Sequence, residues 1–231
     1  MTGRRRTTCT STSRSYDWRP NPQSNHLRNP KNCPTAWGHF YGYVGDRQTV
    51  LALRLLCLTF VRTSELINAE WVEFRTMDGD APTWEIPAER MKMKATHLVP
   101  LSRQAIAILG ELRAIAGSSR FVFPGRNAEA PISNNTMLFA LYRLGYKGRM
   151  TGHGFRAVAS SALNEIGYRP DVIERQLAHK EPNKIRGAYN RAEYLTERRA
   201  MMQQWADMVD AYARGADVLP IKRRSNQRGS E

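Results

Sequence analysis

The run VLALRLLCLTF, which begins at Val50, constrains this sequence more than any other feature. An apolar stretch broken by a single charge cannot stay in water, and its composition reads as a buried helix. Neither it nor any other run approaches the roughly 18–20 apolar residues that a membrane span needs. Residues 1–6 are polar and lead into no apolar signal stretch, so a cytoplasmic protein with no membrane partner is expected. Cys57 lies inside the run and belongs to the core. Cys9 and Cys33 complete an odd set without a CxxC pair, which speaks against a disulfide framework. A zinc site would need scattered residues such as Cys33 and His39, so no metal is expected.

The 231 residues suffice for one good-sized domain with extensions. Residues 1–36 are rich in Arg, Ser, Thr, Asn and Pro with little periodicity and read as a basic, disordered extension. A domain over 37–215 follows, then a basic flexible tail over 216–231. After the buried helix, Thr63, Ser64 and Glu65 offer a cap and a first-turn acid for a short second helix. Three β-prone stretches come next, at 71–75, 83–86 and 97–101, with turn chemistry at Asp78-Gly79-Asp80 and a basic turn before the last. Ser102 caps a helix that ends at Gly117. The second half reads as helices near 133–144, 154–166, 171–178 and 193–213, stopped by Gly145, Gly167 and Gly215 and started at Pro170. The last of these either covers its own domain or passes to a neighbour. The fold class is therefore mainly α with a small antiparallel three-stranded β-sheet, an α+β arrangement.

A formal charge of +14 suggests a polyanionic partner, nucleic acid first. Residues 1–35 carry +6 of it and 214–231 carry +3, leaving +5 between them. Basic tails are often only solvated. Charge alone makes DNA binding plausible and no more.

Several residues suited to phosphate chemistry stand far apart, each at the edge of an element: Arg62, Lys92, His153 with Arg156, His179 and Tyr189. Singly, each has an ordinary reading. Arg62 follows an apolar helix, where a surface Arg often closes the end. Lys92 lies in the basic turn MKMK. His153 and Arg156 share a helix face by spacing, His179 suits a satisfied core position, and Tyr189 suits amphipathic packing.

Their order and surroundings resemble the tyrosine recombinases of the phage-integrase type over residues 37–213. LTFVRTSELINAEW looks like the family's first box, an Arg followed three residues later by an acid. MKMKATHLVPLS resembles its Lys-bearing hairpin ending in V-P-L, and TGHGFRAVASSALNE its His-x-x-Arg box. LAHK resembles the later His, and AYNRAEYLTERRAMMQQWAD the nucleophile helix of the prophage-integrase branch. The resemblance implies Tyr189 as nucleophile, Arg62 and Arg156 as phosphate clamps, and Lys92 as general acid with Lys94 as second candidate. His153 and His179 are implied to contact phosphate or handle protons. It further implies site-specific recombination in phage or prophage integration and excision, duplex DNA bearing an attachment site as partner, a homotetramer on two duplexes, and no cofactor.

The chemistry supports those roles independently. A phosphodiester transition state gathers negative charge on nonbridging oxygens, and two permanently charged guanidiniums with bidentate geometry suit it. A phenol with pKa near ~10 needs help to deprotonate, and the leaving 5′-oxygen needs a proton, which a Lys on a hairpin can supply. Gly152 and Gly154 bracket His153 and would let backbone approach a phosphate, or serve as punctuation before the helix. Glu65 reads as an orienter of Arg62, because a carboxylate at the scissile phosphate would repel it.

About 36 residues precede the resemblance and do not resemble the family's further helical DNA-binding domain. An isolated catalytic domain or the product of a truncated gene is the expectation. Two other readings remain: a nicking-closing topoisomerase of the phosphotyrosine type, and a catalytically silent DNA-binding or protein-interaction remnant.

Overall fold

The computed structural model describes residues 43–74, 77–179 and 194–214, and these are mainly helical with one small sheet. Helix α1 (Arg47–Thr59) starts at Asp46, whose carboxylate accepts the Thr49 N–H at 3.0 Å. Every α1 residue from Thr49 onward except Arg54 is buried, as the apolar run demands. The helix stops at Phe60, which adopts a left-handed conformation (φ 39°) with its ring edge-on to Trp205.

The remaining helices are α2 (Thr63–Ile67), α3 (Arg103–Ala116), α4 (Asn135–Arg143), α5 (Gly152–Glu165), α6 (Pro170–Gln176) and α7 (Leu195–Ala213). Of these, α2, α3, α4, α5 and α7 pack directly on α1. Ser102 caps α3, accepting the Ala105 N–H at 3.3 Å, and Gly145 and Gly167 take the positive φ that ends α4 and α5. Helix α7 buries Arg198, Met201, Met202, Trp205, Ala206, Met208, Val209 and Tyr212, a stripe at helical spacing, against α1, α5, α6 and the sheet. It therefore covers its own domain. Trp205 fastens it by donating its indole N–H to the Cys57 carbonyl at 2.9 Å inside α1.

The sheet differs from the three strands expected. Among the described residues it has two: β1 (Thr83–Ile86) and β2 (His97–Pro100) pair antiparallel, with Thr83 opposite Pro100 and Ile86 opposite His97. The stretch expected as a strand from Trp71 is a 3-10 turn, Trp71–Glu73, preceded by an isolated bridge between Glu70 and Phe121. The physical reason lies in Glu73. A strand would have left it exposed, but its buried carboxylate accepts the Trp84 indole N–H at 2.8 Å and pairs with Arg90, while Val72 is 64% exposed. The turn also brings Phe74 into a stack on Trp84, with ring centroids 5.2 Å apart.

Two polar ties hold the hairpin against the helices. Arg90 donates to the Glu65 carbonyl in α2, and His97 Nε2 bonds the Gln176 carbonyl at the end of α6 at 3.1 Å. No helix among the described residues is long and apolar enough to cross a membrane. Cys57 is fully buried. Cys9, Cys33, His39, Gly215 and the expected extension over 1–36 lie outside the described residues.

Candidate active site

Two helix ends face each other where the predicted residues gather. Helix α1 ends at Phe60. Helix α6 ends in a Schellman turn: the Ala178 N–H bonds the Arg175 carbonyl and the His179 N–H the Glu174 carbonyl, both at 3.2 Å, with Ala178 left-handed at φ 49°. Carbonyls at such ends have lost their helical partners and sit at the negative pole of the helix, so they attract cations.

Arg156, on the first turns of α5 and 3% exposed, bridges the two ends. Its Nη1 donates to the Phe60 carbonyl at 2.8 Å and its Nη2 to the Leu177 carbonyl at 2.5 Å. Arg62, the residue before α2, donates through Nη2 to the Ala178 carbonyl at 3.4 Å. Glu65 holds Arg62 from the other side: its Oε1 takes Nη1 at 2.6 Å and its Oε2 the backbone N–H at 2.8 Å, half of a capping box. Glu65 is itself buried, while the Arg62 side chain stays partly exposed. Burial first, and then the neighbouring Arg62 charge, draws Arg156 down to about 10, with Glu65 and Glu174 opposing. It remains a cation at neutral pH.

His179 completes the cluster. Its Nε2 lies 3.3 Å from Arg156 Nη2 and its Nδ1 2.5 Å from Glu174 Oε2. A guanidinium can only donate, so Nε2 accepts and Nδ1–H donates to Glu174. That fixes the tautomer and leaves a lone pair turned toward the clamp.

His153 is exposed on the first turn of α5, three residues before Arg156, and its side chain makes no hydrogen bond among the described residues. The glycine before it has a packing role. A Cβ on Gly152 would stand 2.0 Å from Thr63 Oγ1, so the bare Cα lets the start of α5 lie against the start of α2. Lys92 is exposed in the turn two residues beyond Arg90 and has no hydrogen bond or ion pair among the described residues. Lys94 donates to the Glu89 carbonyl at 3.5 Å.

Tyr189 lies outside the described residues. The nearby Tyr194 is engaged elsewhere: Arg169 sits 4.8 Å over its ring and donates to its hydroxyl at 3.3 Å, at the start of α6. Seven residues of helix, about 10 Å, separate that end from the cluster. The structure thus brings Arg62, Arg156 and His179 into one site and sets His153 one turn away.

Sequence reasoning passed over Glu174, Gln176 and Arg198. Nothing in a lone Gln or a helix Arg marks it as buried. The i, i+5 spacing of Glu174 and His179 gives no helical pairing signal, because the Schellman turn creates their contact.

Residues 44–195 match the family model described as the phage integrase family. The chain is 47% identical over 163 residues to prophage integrase IntA of Escherichia coli (strain K12), covering 70% of this chain and 39% of that protein. It is 49% identical over 172 residues to prophage integrase IntZ of the same organism, covering 74% and 42%. The integrase of Enterobacteria phage P4 is 46% identical over 194 residues, covering 77% and 44%. The chain thus spans less than half the length of these relatives. Among solved structures, XerA recombinase superposes with a TM-score of 0.51 at 15% identity, covering 87% of this chain and 67% of that one.

Proposed function

Because the chain belongs to the phage integrase family, we propose that it is the catalytic part of a tyrosine recombinase that breaks and rejoins duplex DNA through Tyr189. The observation that carries this reading is the meeting of Arg62 and Arg156, 94 positions apart in sequence, on the three consecutive residues Leu177, Ala178 and His179. Two guanidiniums gathered from separate elements, Arg62 held by Glu65 and Arg156 bonded among the described residues to no carboxylate, suit an anion that comes beside them.

In the proposed reaction the Tyr189 oxygen attacks a backbone phosphorus and the bond to the 5′-oxygen breaks, leaving a 3′-phosphotyrosyl link. The phenol proton passes to His179 Nε2, which gives up the Arg156 N–H as it takes that proton, while Glu174 holds Nδ1–H. Lys92, on the turn beside α2, gives a proton to the leaving 5′-oxygen. Arg62 and Arg156 take the charge that builds on the nonbridging oxygens, and His153 adds a contact from the start of α5. The 5′-hydroxyl of a partner strand then attacks the link, restores the phosphodiester and returns the phenol. Each step exchanges one phosphoester for another, so no nucleotide hydrolysis is needed. The working assembly is a tetramer on two duplexes carrying attachment sites, serving integration and excision in the cytoplasm. The catalytic domain extends over 37–215.

A nicked duplex that loses a short 5′-hydroxyl fragment after cleavage tests the reading. Covalent protein–DNA adduct should accumulate, Tyr189→Phe should abolish it with DNA binding retained, and Arg62→Ala or Arg156→Ala should slow it by about 10³-fold or more. An adduct that persists in Y189F, or none with a substrate that an intact relative cleaves, would overturn the assignment.

A further inference from the structure

Arg198 is 1% exposed, yet among the described residues no carboxylate pairs with it. Its partners are oxygens of neutral groups. Nε and Nη2 both donate to Gln176 Oε1, at 3.0 and 2.7 Å, and Nη2 also donates to the Leu98 carbonyl in β2. Burial, reinforced by Arg175 and Arg199, pulls its pKa down to about 9. Holding a cation there is costly, and a Met or Leu would fill the position in α7 without that cost. What an apolar residue cannot supply is a rigid fork of donors.

The fork acts on Gln176, which is fully buried. The Gln176 side-chain amide donates to the Thr59 carbonyl at 3.5 Å, and the Gln176 backbone carbonyl accepts from His97. Thr59 is bonded to Phe60, and Gln176 to Leu177. Those two neighbours provide the carbonyls that grip Arg156. The Gln176 side chain therefore bridges the two helix ends one covalent step behind the acceptors of the clamp, and Arg198 sets its orientation.

We infer that Arg198 is a positioning residue, which orients Gln176 and so fixes the carbonyls of Phe60, Leu177 and Ala178 that aim Arg156 and Arg62. Removing it leaves the Gln176 and Leu98 oxygens unpaired and frees the amide to turn. The spacing between the ends of α1 and α6 then relaxes, and the Arg156 guanidinium loses its aim. The inference rests on the recombinase reading for its kinetic readout but not for its structural one.

The test uses the whole chain with Arg198→Met, Arg198→Lys and Gln176→Glu. Three quantities are measured: thermal stability, the nitrogen-15 resonance of Arg156 Nε–H, and the rate of adduct formation at saturating nicked DNA. In R198M the Arg156 resonance should shift and broaden, and the rate should fall about tenfold to a hundredfold while DNA affinity stays within about twofold. R198K should recover part of both. A folded R198M with the wild-type resonance and rate would overturn the inference, as would a rate loss that merely follows the unfolded fraction. Should R198M fail to fold, Q176E decides. It gives Arg198 a carboxylate partner but removes the amide donor to Thr59, so it should fold and show the same shifted resonance and slower rate; wild-type behaviour would overturn the inference. If the wild-type chain forms no adduct, the recombinase reading fails, and the Arg156 resonance alone still decides the role of Arg198.

Discussion

Ala178 takes a left-handed conformation that favours glycine, at the C′ position of the turn that carries the Arg62 acceptor. The strain it bears should be recoverable. Ala178→Gly is expected to raise stability by about 0.5–1 kcal/mol, the left-handed penalty less the added freedom of the unfolded chain, read as a higher Tm. A lower Tm would mean that the methyl group's packing outweighs its strain. His97 makes a second residue-scale prediction. Burial foremost, and then the charges of Arg198, Arg175 and Arg156, hold its pKa well below 6.5, so it is neutral in the fold. The unfolded chain binds the proton first as pH falls. The His97 contribution is therefore intact above pH ~6.5 and declines below it, by at most about 1.4 kcal/mol per pH unit until the folded group itself titrates. Melting curves from pH 7.5 to pH 5 should show a shallower decline in His97→Gln than in wild type, with carboxylate effects common to both. Parallel curves would remove His97 from the account.

The elements were legible to different degrees. Apolar spacing, Ser102, Pro170 and the positive-φ glycines set the helices out correctly, since these signals act within a few residues. The stretch from Trp71 misled because Glu73 is buried by Trp84 and Arg90, partners that alternation along the chain cannot reveal. At the site, Arg62, Arg156 and His179 could be read from order and context, and the structure brings them together. Gln176 and Arg198 could not, because their importance comes from contacts across 22 residues and between separate helices. The meeting of α2 and α5 offers a test at this scale. Gly152→Ala places a methyl against Thr63, and the loss should exceed the roughly 1 kcal/mol that Ala ordinarily gains over Gly in a helix, giving a net fall in Tm. Thr63→Ala in the same chain should restore part of it, and additive effects of the two substitutions would contradict the close approach.

For the whole molecule, most of the +14 charge lies in the two terminal stretches, and the residues between them carry only +5. DNA binding by this chain should accordingly be weak and steep in salt, with a log–log slope near −0.9 for each phosphate neutralised. A nanomolar, salt-insensitive complex would contradict that picture. The position of α1 has a consequence of another kind. Five helices lie against it, so no single flank can swing away and bare its backbone to solvent. Deuterium should enter the amides of residues 50–59 only when the entire domain opens, and the slowest of them should report the full unfolding free energy. Fraying at the ends of α6 or α7 would leave those amides unlabelled.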